Sequence, residues 1–215
     1  MGKIVLATII ISGSAKWLLK VGGNKEKWYG SDRIFMYVMT VFGAMTVNYS
    51  EQCTEYGWVV SNLRLLAGCL LAGGLLSAAY MDRRNCWVYN YVWWWCLPWA
   101  EILGLTAGGG FHGIVAVLVF VMLQQLLFSR MYGKADCHAF SVCALAECGN
   151  AVGMVGFLLQ MFLSVVLLTI VQLFRGNVTP RGRLREPQPF IPYIITAFFS
   201  VTFLESVFRT TYIYA

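Results

Sequence analysis

Charged residues are scarce in this sequence. Lys, Arg, Asp and Glu make up 12% of its 215 residues, whereas hydrophobic residues make up 59%. Soluble domains contain about 25% charged and about 45–50% apolar residues, so the composition argues against a soluble domain. Apolar runs close to the ~20 residues that cross a bilayer core follow one another along the chain. These runs are continuous rather than alternating, which disfavours a porin-like barrel and predicts an all-α, polytopic transmembrane helical bundle.

Paired cysteines are also lacking. The sequence has seven cysteines, but none are spaced as C-x-x-C. Most lie within or beside apolar runs, where a free cysteine behaves as a small buried hydrophobic residue. Neither a disulfide framework nor a structural zinc site is therefore predicted.

Long polar stretches are absent as well, which excludes an inserted soluble domain. We predict about eight apolar segments, at roughly 3–20, 33–49, 57–81, 86–106, 111–130, 136–150, 152–174 and 190–212. The first of them lacks a convincing small-residue cleavage site and is followed by further segments. We therefore expect it to be retained rather than removed as a signal peptide.

Lys and Arg are missing from every second connection between these segments. The connections that carry them are 21–32, 82–85, 130–135 and 175–189. Those that carry none are 50–56, 107–110 and 150–151. By the positive-inside rule the first set is cytoplasmic and both chain ends lie outside. This pattern also explains the net charge of +6 without a nucleic-acid partner.

Two aspartates lie at the predicted cytoplasmic boundary. Asp82 ends the third segment in LLSAAYMDRRNCWVYN, and Asp136 begins the sixth in MYGKADCHAF. Burying a charge at mid-helix costs at least ~2.5–3.5 kcal/mol, so each is a functional candidate. Two carboxyl groups that share a site cannot both ionise easily, and such a pair provides a general base and a general acid. Helix capping is the alternative: it explains Asp136 at a helix N-terminus well, and Asp82 at a C-terminus poorly.

The sequence after the first aspartate resembles a signature of the type IV prepilin peptidases, membrane aspartic peptidases of the GxGD type. That signature runs D-x-R, then an apolar residue, a proline and an asparagine. In DRRNCWVYN the matching positions are Asp82, Arg84, Val88 and Asn90. Tyr89 stands where the family has proline, which is a departure from the pattern.

Two more segments resemble signatures of the same family. YGKADCHAF is similar to its G-x-G-D or G-x-A-D motif, and the aspartate of that motif is Asp136. His138 stands where the family often has lysine. REPQPFIPYI is similar to the P-F-x-P segment that opens the last core span. The three segments occur in the family's order, and each lies at a boundary predicted to be cytoplasmic.

The resemblance covers about residues 57–212 and implies a six-span peptidase core within 55–215. Residues 1–54 would form an N-terminal apolar region, with two extra spans that pack on the core. The family lacks a metal and a cofactor: its two aspartates activate a water that attacks the scissile carbonyl. Nothing here matches the paired-cysteine insert of many bacterial members, so we expect no N-methyltransferase activity.

The resemblance also implies a substrate and a location. The substrate would be a type IV prepilin or pseudopilin with a basic leader, and cleavage would occur at the cytoplasmic face of the cell membrane. The catalytic residues would be Asp82 and Asp136. Residues expected to support the active site are Arg84, Asn90, Gly133, Lys134, His138, Pro189, Phe190 and Pro192. Gly133 would either let the backbone approach the Asp136 carboxylate or be an ordinary glycine at a helix start. His138 would either tune that carboxylate or face a neighbouring helix.

A second group of charged residues lies in the outer half of the predicted bundle. Its members are Arg64, Glu101, Glu147, Glu205 and Arg209. Structural ion pairing explains them, because paired charges cost less to bury. The alternative function is a transporter, or a non-catalytic assembly component, that uses this cluster. A transporter would need polar groups through the midplane, where these segments contain mostly Leu, Val, Ala and Gly.

Overall fold

A computed structural model of the chain describes residues 2–23, 30–52, 57–107, 111–130, 133–148, 153–175 and 188–213. The elements in these ranges are all helical. They are α1 (Gly2–Val21), α2 (Gly30–Gln52), α3 (Trp58–Asn85), α4 (Asn90–Thr106), α5 (Phe111–Leu126), a 3₁₀ turn (Phe128–Arg130), α6 (Lys134–Glu147), α7 (Gly153–Phe174) and α8 (Ile191–Ile213). Each α-helix corresponds to one predicted apolar segment, which confirms the all-α fold.

Four helices are long and apolar enough to cross a membrane. They are α1, α3, and the stretches Val155–Phe174 of α7 and Ile191–Phe208 of α8. The 14 residues of α6 span about 21 Å at 1.5 Å per residue, less than the ~30 Å hydrocarbon core. The structure therefore supports a membrane protein, while eight crossings, a six-span core and the orientation remain predictions.

Helix α3 lies at the centre of the bundle. From Ala67 to Asp82 every residue except Leu70 is buried. Small residues in this stretch allow neighbouring helices to approach closely, as AGCLLAGGLLSAA predicts. On one side Gly73 faces Ile11 and Ser14 of α1, and on the other Gly74 faces α4.

The two N-terminal helices pack directly on the rest of the bundle. The Tyr91 hydroxyl of α4 donates a hydrogen bond of 2.8 Å to the Leu18 carbonyl of α1. Arg83 at the end of α3 pairs with Asp32 of α2 at 2.7 Å. Buried residues of α1 and α2 belong to the same hydrophobic core as those of α3 and α8. The division of the chain at residue 54 stays a prediction.

Helices α4 and α6 cross at Gly104. A Cβ placed there would collide with the backbone carbonyl oxygen of Leu145 and lie 2.6 Å from the Cys148 sulfur. A backbone carbonyl cannot rotate away as a flexible side chain can, so the crossing depends on glycine.

We expect Gly104→Ala to lower the free energy of unfolding by about 1–3 kcal/mol, because the two helices must separate to admit the methyl group. The measurement is thermal unfolding of the purified protein in detergent. Gly13→Ala is the matched control, since a Cβ at that helical glycine meets nothing within 4 Å. Equal stability of the two variants would contradict the close crossing.

Candidate active site

The chain turns sharply just after Asp82. Cys86 adopts a left-handed conformation (φ 50°), and its backbone N–H donates to the Asp82 carbonyl at 2.8 Å. This is the usual way for a helix to end, although glycine rather than cysteine normally occupies the position. The turn ends α3 one helical turn beyond Asp82, whose side chain is 6% exposed.

The Asp82 carboxylate lies at the N-terminus of another helix. Its Oδ2 accepts a hydrogen bond of 3.0 Å from the backbone N–H of Ile191, the first residue of α8. The backbone N–H of Phe190 is a second donor to this carboxylate. No Ser, Thr, Asp or Asn precedes Ile191 in QPFI, so the helix lacks a local acceptor for its first N–H groups.

The expectation that capping explains Asp82 poorly is therefore wrong. That argument considered only the C-terminus of α3, where a negative charge opposes the helix dipole. In the structure the carboxylate lies at the N-terminus of α8, where both the dipole and the N–H groups favour a negative charge. The first and third signature segments thus meet at Asp82.

Asp136 caps its own helix. The backbone N–H of Gly133, immediately before α6, donates to the Asp136 Oδ2 at 3.1 Å. A Cβ at Gly133 would lie 3.1 Å from the same oxygen, so the backbone approaches this carboxylate as closely as the sequence predicts. The Asp136 side chain is half-buried.

The two aspartates come together at one end of the bundle. Asp82 lies near the C-terminal end of α3 and Asp136 in the first turn of α6. Their carboxyl groups are close enough for the charge of Asp82 to act on Asp136. Both groups are also partly removed from water. A site with two such carboxyl groups holds one proton between them more readily than it holds two negative charges.

The P-F-x-P segment packs against this site. Phe190 is buried, and its ring packs edge to face against that of Phe140 on α6, with 5.8 Å between the ring centroids. Pro189 precedes α8, and Pro192 occupies its first turn, where the missing N–H is tolerated. The segment therefore connects the helix that carries Asp136 to the carboxylate of Asp82.

Other predicted site residues lie at the edge of the bundle. Arg84 is exposed, donates a hydrogen bond of 2.9 Å to the Tyr80 hydroxyl, and lies over the ring of Tyr80. Asn90 and Lys134 are the exposed first residues of α4 and α6. They flank the aspartates rather than bonding to them.

His138 faces a neighbouring helix, which was one of its two predicted orientations. Its Nδ1 lies 3.3 Å from the Nε2 of Gln125 on α5, and its ring centroid is 6.0 Å from that of Trp93. These residues and Asn90 line a cavity of about 500 Å³ between α4, α5 and α6. Sequence reasoning missed Gln125. The only signal for it was the pair of adjacent glutamines, Gln124 and Gln125, within an apolar segment.

Several predicted features lie outside the described residues. They are residues 176–187 of the Arg-rich connection and the side chain of Arg209. Within the part of the chain that the structure describes, no group of three His, Cys, Asp or Glu residues is placed to hold a metal ion.

Comparison of the chain with protein-family models, curated proteins and solved structures finds no match. The resemblance to prepilin peptidases therefore rests on three short segments of this sequence.

Replacing Asp82 tests its capping role separately from any chemistry. We expect Asp82→Ala to lower the free energy of unfolding by about 0.5–2 kcal/mol, because the Ile191 N–H loses its acceptor. Asp82→Asn should lower the free energy of unfolding by less, since the amide oxygen of asparagine can accept the same hydrogen bond. Thermal unfolding in detergent measures both, and equal losses for Ala and Asn would argue against the cap.

Proposed function

We propose that this protein is a membrane aspartic endopeptidase that removes the leader peptide from type IV prepilin-like or pseudopilin substrates. The observation that supports this most strongly is that Asp82 and Asp136, from two different segments that resemble family signatures, lie near enough for the charge of one to act on the other. The P-F-x-P segment at the same place adds to it. Cleavage would take place at the cytoplasmic face of the cell membrane, in a pilus or secretion pathway.

The proposed reaction uses the two aspartates as a pair that shares one proton. The ionised carboxylate takes a proton from water, and the oxygen of that water attacks the scissile carbonyl carbon. The protonated carboxyl group donates its proton to the carbonyl oxygen, giving a tetrahedral diol. Collapse of the diol breaks the C–N bond: one diol hydroxyl gives its proton to the ionised aspartate, the leaving amine takes the proton of the other aspartate, and the pair again holds one proton. The pair titrates as a unit, so neither role belongs to one aspartate before substrate binds.

The hydrogen bonds from the backbone orient the two carboxyl groups. The Ile191 N–H holds one oxygen of Asp82, and the Gly133 N–H holds one oxygen of Asp136. Both donors are backbone N–H groups. A hydrogen bond from the backbone restricts the orientations that the carboxyl group can adopt. Catalysis benefits because groups held in position need less reorganisation in the transition state.

The same hydrogen bonds also support a second candidate, a non-catalytic membrane component. Each aspartate already serves as a helix cap, and a cap needs no catalytic role. The peptidase differs from this alternative in one respect that can be measured: it requires both carboxyl groups to be able to ionise.

Coexpression with a prepilin tests the peptidase directly. We expect the intact protein to shorten the prepilin, and Asp82→Asn and Asp136→Asn each to reduce cleavage by about 10²–10⁴-fold, because each removes a general acid or base. The readout is the gel shift between precursor and product, at matched membrane expression. Asp32→Asn is the control, since this carboxylate pairs with Arg83 beside the site. Full activity of Asp82→Asn or of Asp136→Asn would exclude the paired mechanism. If the intact protein cleaves no pilin from several systems, the non-catalytic candidate is favoured.

A matched pair of glycines tests the close approach to Asp136. Gly57 and Gly133 both precede a helix with nearly the same backbone, φ −56°, ψ 152° and φ −63°, ψ 152°. A Cβ at Gly57 meets nothing, whereas one at Gly133 presses on the Asp136 carboxylate. We expect Gly133→Ala to slow cleavage roughly tenfold by displacing that group, and Gly57→Ala to leave the rate unchanged. Equal rates for the two variants would show that the position of the carboxylate is not critical.

A further inference from the structure

A small cavity lies in the bundle away from the aspartate pair. Residues of five helices line it, among them Thr46 of α2, Arg64 of α3, Leu103 of α4, Glu147 of α6 and Thr202 of α8. Glu147 is eleven residues from Asp136 along α6, or about 16 Å at 1.5 Å per residue. The cavity is therefore separate from the candidate active site.

Glu147 has an unpartnered oxygen in this cavity wall. The side chain is 3% exposed, and its Oε2 has no hydrogen-bond partner among the described residues. The Thr202 hydroxyl lies 3.3 Å from Oε1, but it also lies 2.8 Å from the Phe198 carbonyl. One hydroxyl has a single hydrogen to donate, and the closer carbonyl competes for it. A buried carboxylate in this situation needs another donor.

Arg64 lies across the same cavity and is also buried, at 4% exposed. Its Nη1 donates to the Leu103 carbonyl and to the Thr106 hydroxyl, both at 2.9 Å. These bonds tie the guanidinium to the end of α4. The wall of the cavity thus carries two buried polar side chains, those of Arg64 and Glu147.

The size and charge of the cavity restrict what it can hold. The space open to the centres of water molecules is about 50 Å³. One water needs about 10–15 Å³ measured in this way, so about three to five waters fit, and a peptide or a lipid chain does not. The guanidinium opposes a bound cation, and the carboxyl group of Glu147, on which the charge of Glu205 also acts, opposes a bound anion. The remaining candidate is a neutral molecule that both donates and accepts hydrogen bonds.

We propose that this cavity holds a cluster of ordered water molecules that donates to Glu147 Oε2 and connects it to Arg64. The water then connects the carboxyl group of Glu147 on α6 to the guanidinium of Arg64 on α3. This inference does not depend on the proposed peptidase activity.

High-resolution crystallography or electron cryo-microscopy of the full chain tests the proposal. Density for water within hydrogen-bond distance of Glu147 Oε2, with at least one further water reaching Arg64, is the expected result. A cavity without density would overturn the proposal, and so would a direct Glu147–Arg64 contact. Sodium chloride compared with choline chloride tests for a cation, because a bound Na⁺ would raise the thermal midpoint in sodium selectively. That selective rise would also overturn it.

Two substitutions of Glu147 test the proposal through the thermal midpoint of unfolding in detergent solution. Glu147→Gln keeps groups that water can bind, whereas Glu147→Leu leaves the waters without a partner on α6. We expect Leu to lower the thermal midpoint by several degrees more than Gln. Glu101→Leu, at an exposed position on α4, is the control and should change little. A Leu variant as stable as the Gln variant would contradict a water-mediated connection.

Discussion

The hydrogen bond from Ile191 to Asp82 connects the parts of this molecule that matter most. Backbone N–H groups at a helix end must find an acceptor where water is scarce, and α8 begins without one of its own. A carboxylate from the end of α3, 109 residues away along the chain, provides it. This single contact fixes the relative position of two helix ends and brings two signature segments to the same place.

The close packing around α3 makes that contact possible. Glycines at positions 73 and 74 let α1 and α4 lie against its two sides, and Gly104 lets α4 approach α6. These crossings determine where the ends of the helices fall, and hence whether Asp82 and Asp136 can meet. The structural role of the caps and the proposed chemistry do not conflict, since a carboxyl group held by one oxygen is also an oriented carboxyl group.

The sequence predicts the helices well because their signal is local. Each predicted segment lies within a few residues of a helix, and α6, predicted to begin at Asp136, begins at Lys134. The Gly133–Asp136 contact is equally local and was also predictable. The role of Asp82 at α8 was not, because it depends on how distant segments pack. The same holds for His138, whose two predicted orientations only the position of Gln125 on α5 could distinguish.

The shortness of α6 has a consequence for the surrounding lipid. If α6 crosses the bilayer as predicted, its length of about 21 Å would not match a ~30 Å hydrocarbon core, and either the bilayer would thin or headgroups and water would reach inward to the helix ends. Both ends of α6 carry a carboxylate, Asp136 in its first turn and Glu147 at its last residue. In that case local membrane thickness would be part of the environment of Asp136, and a thicker bilayer would bring it a lower dielectric.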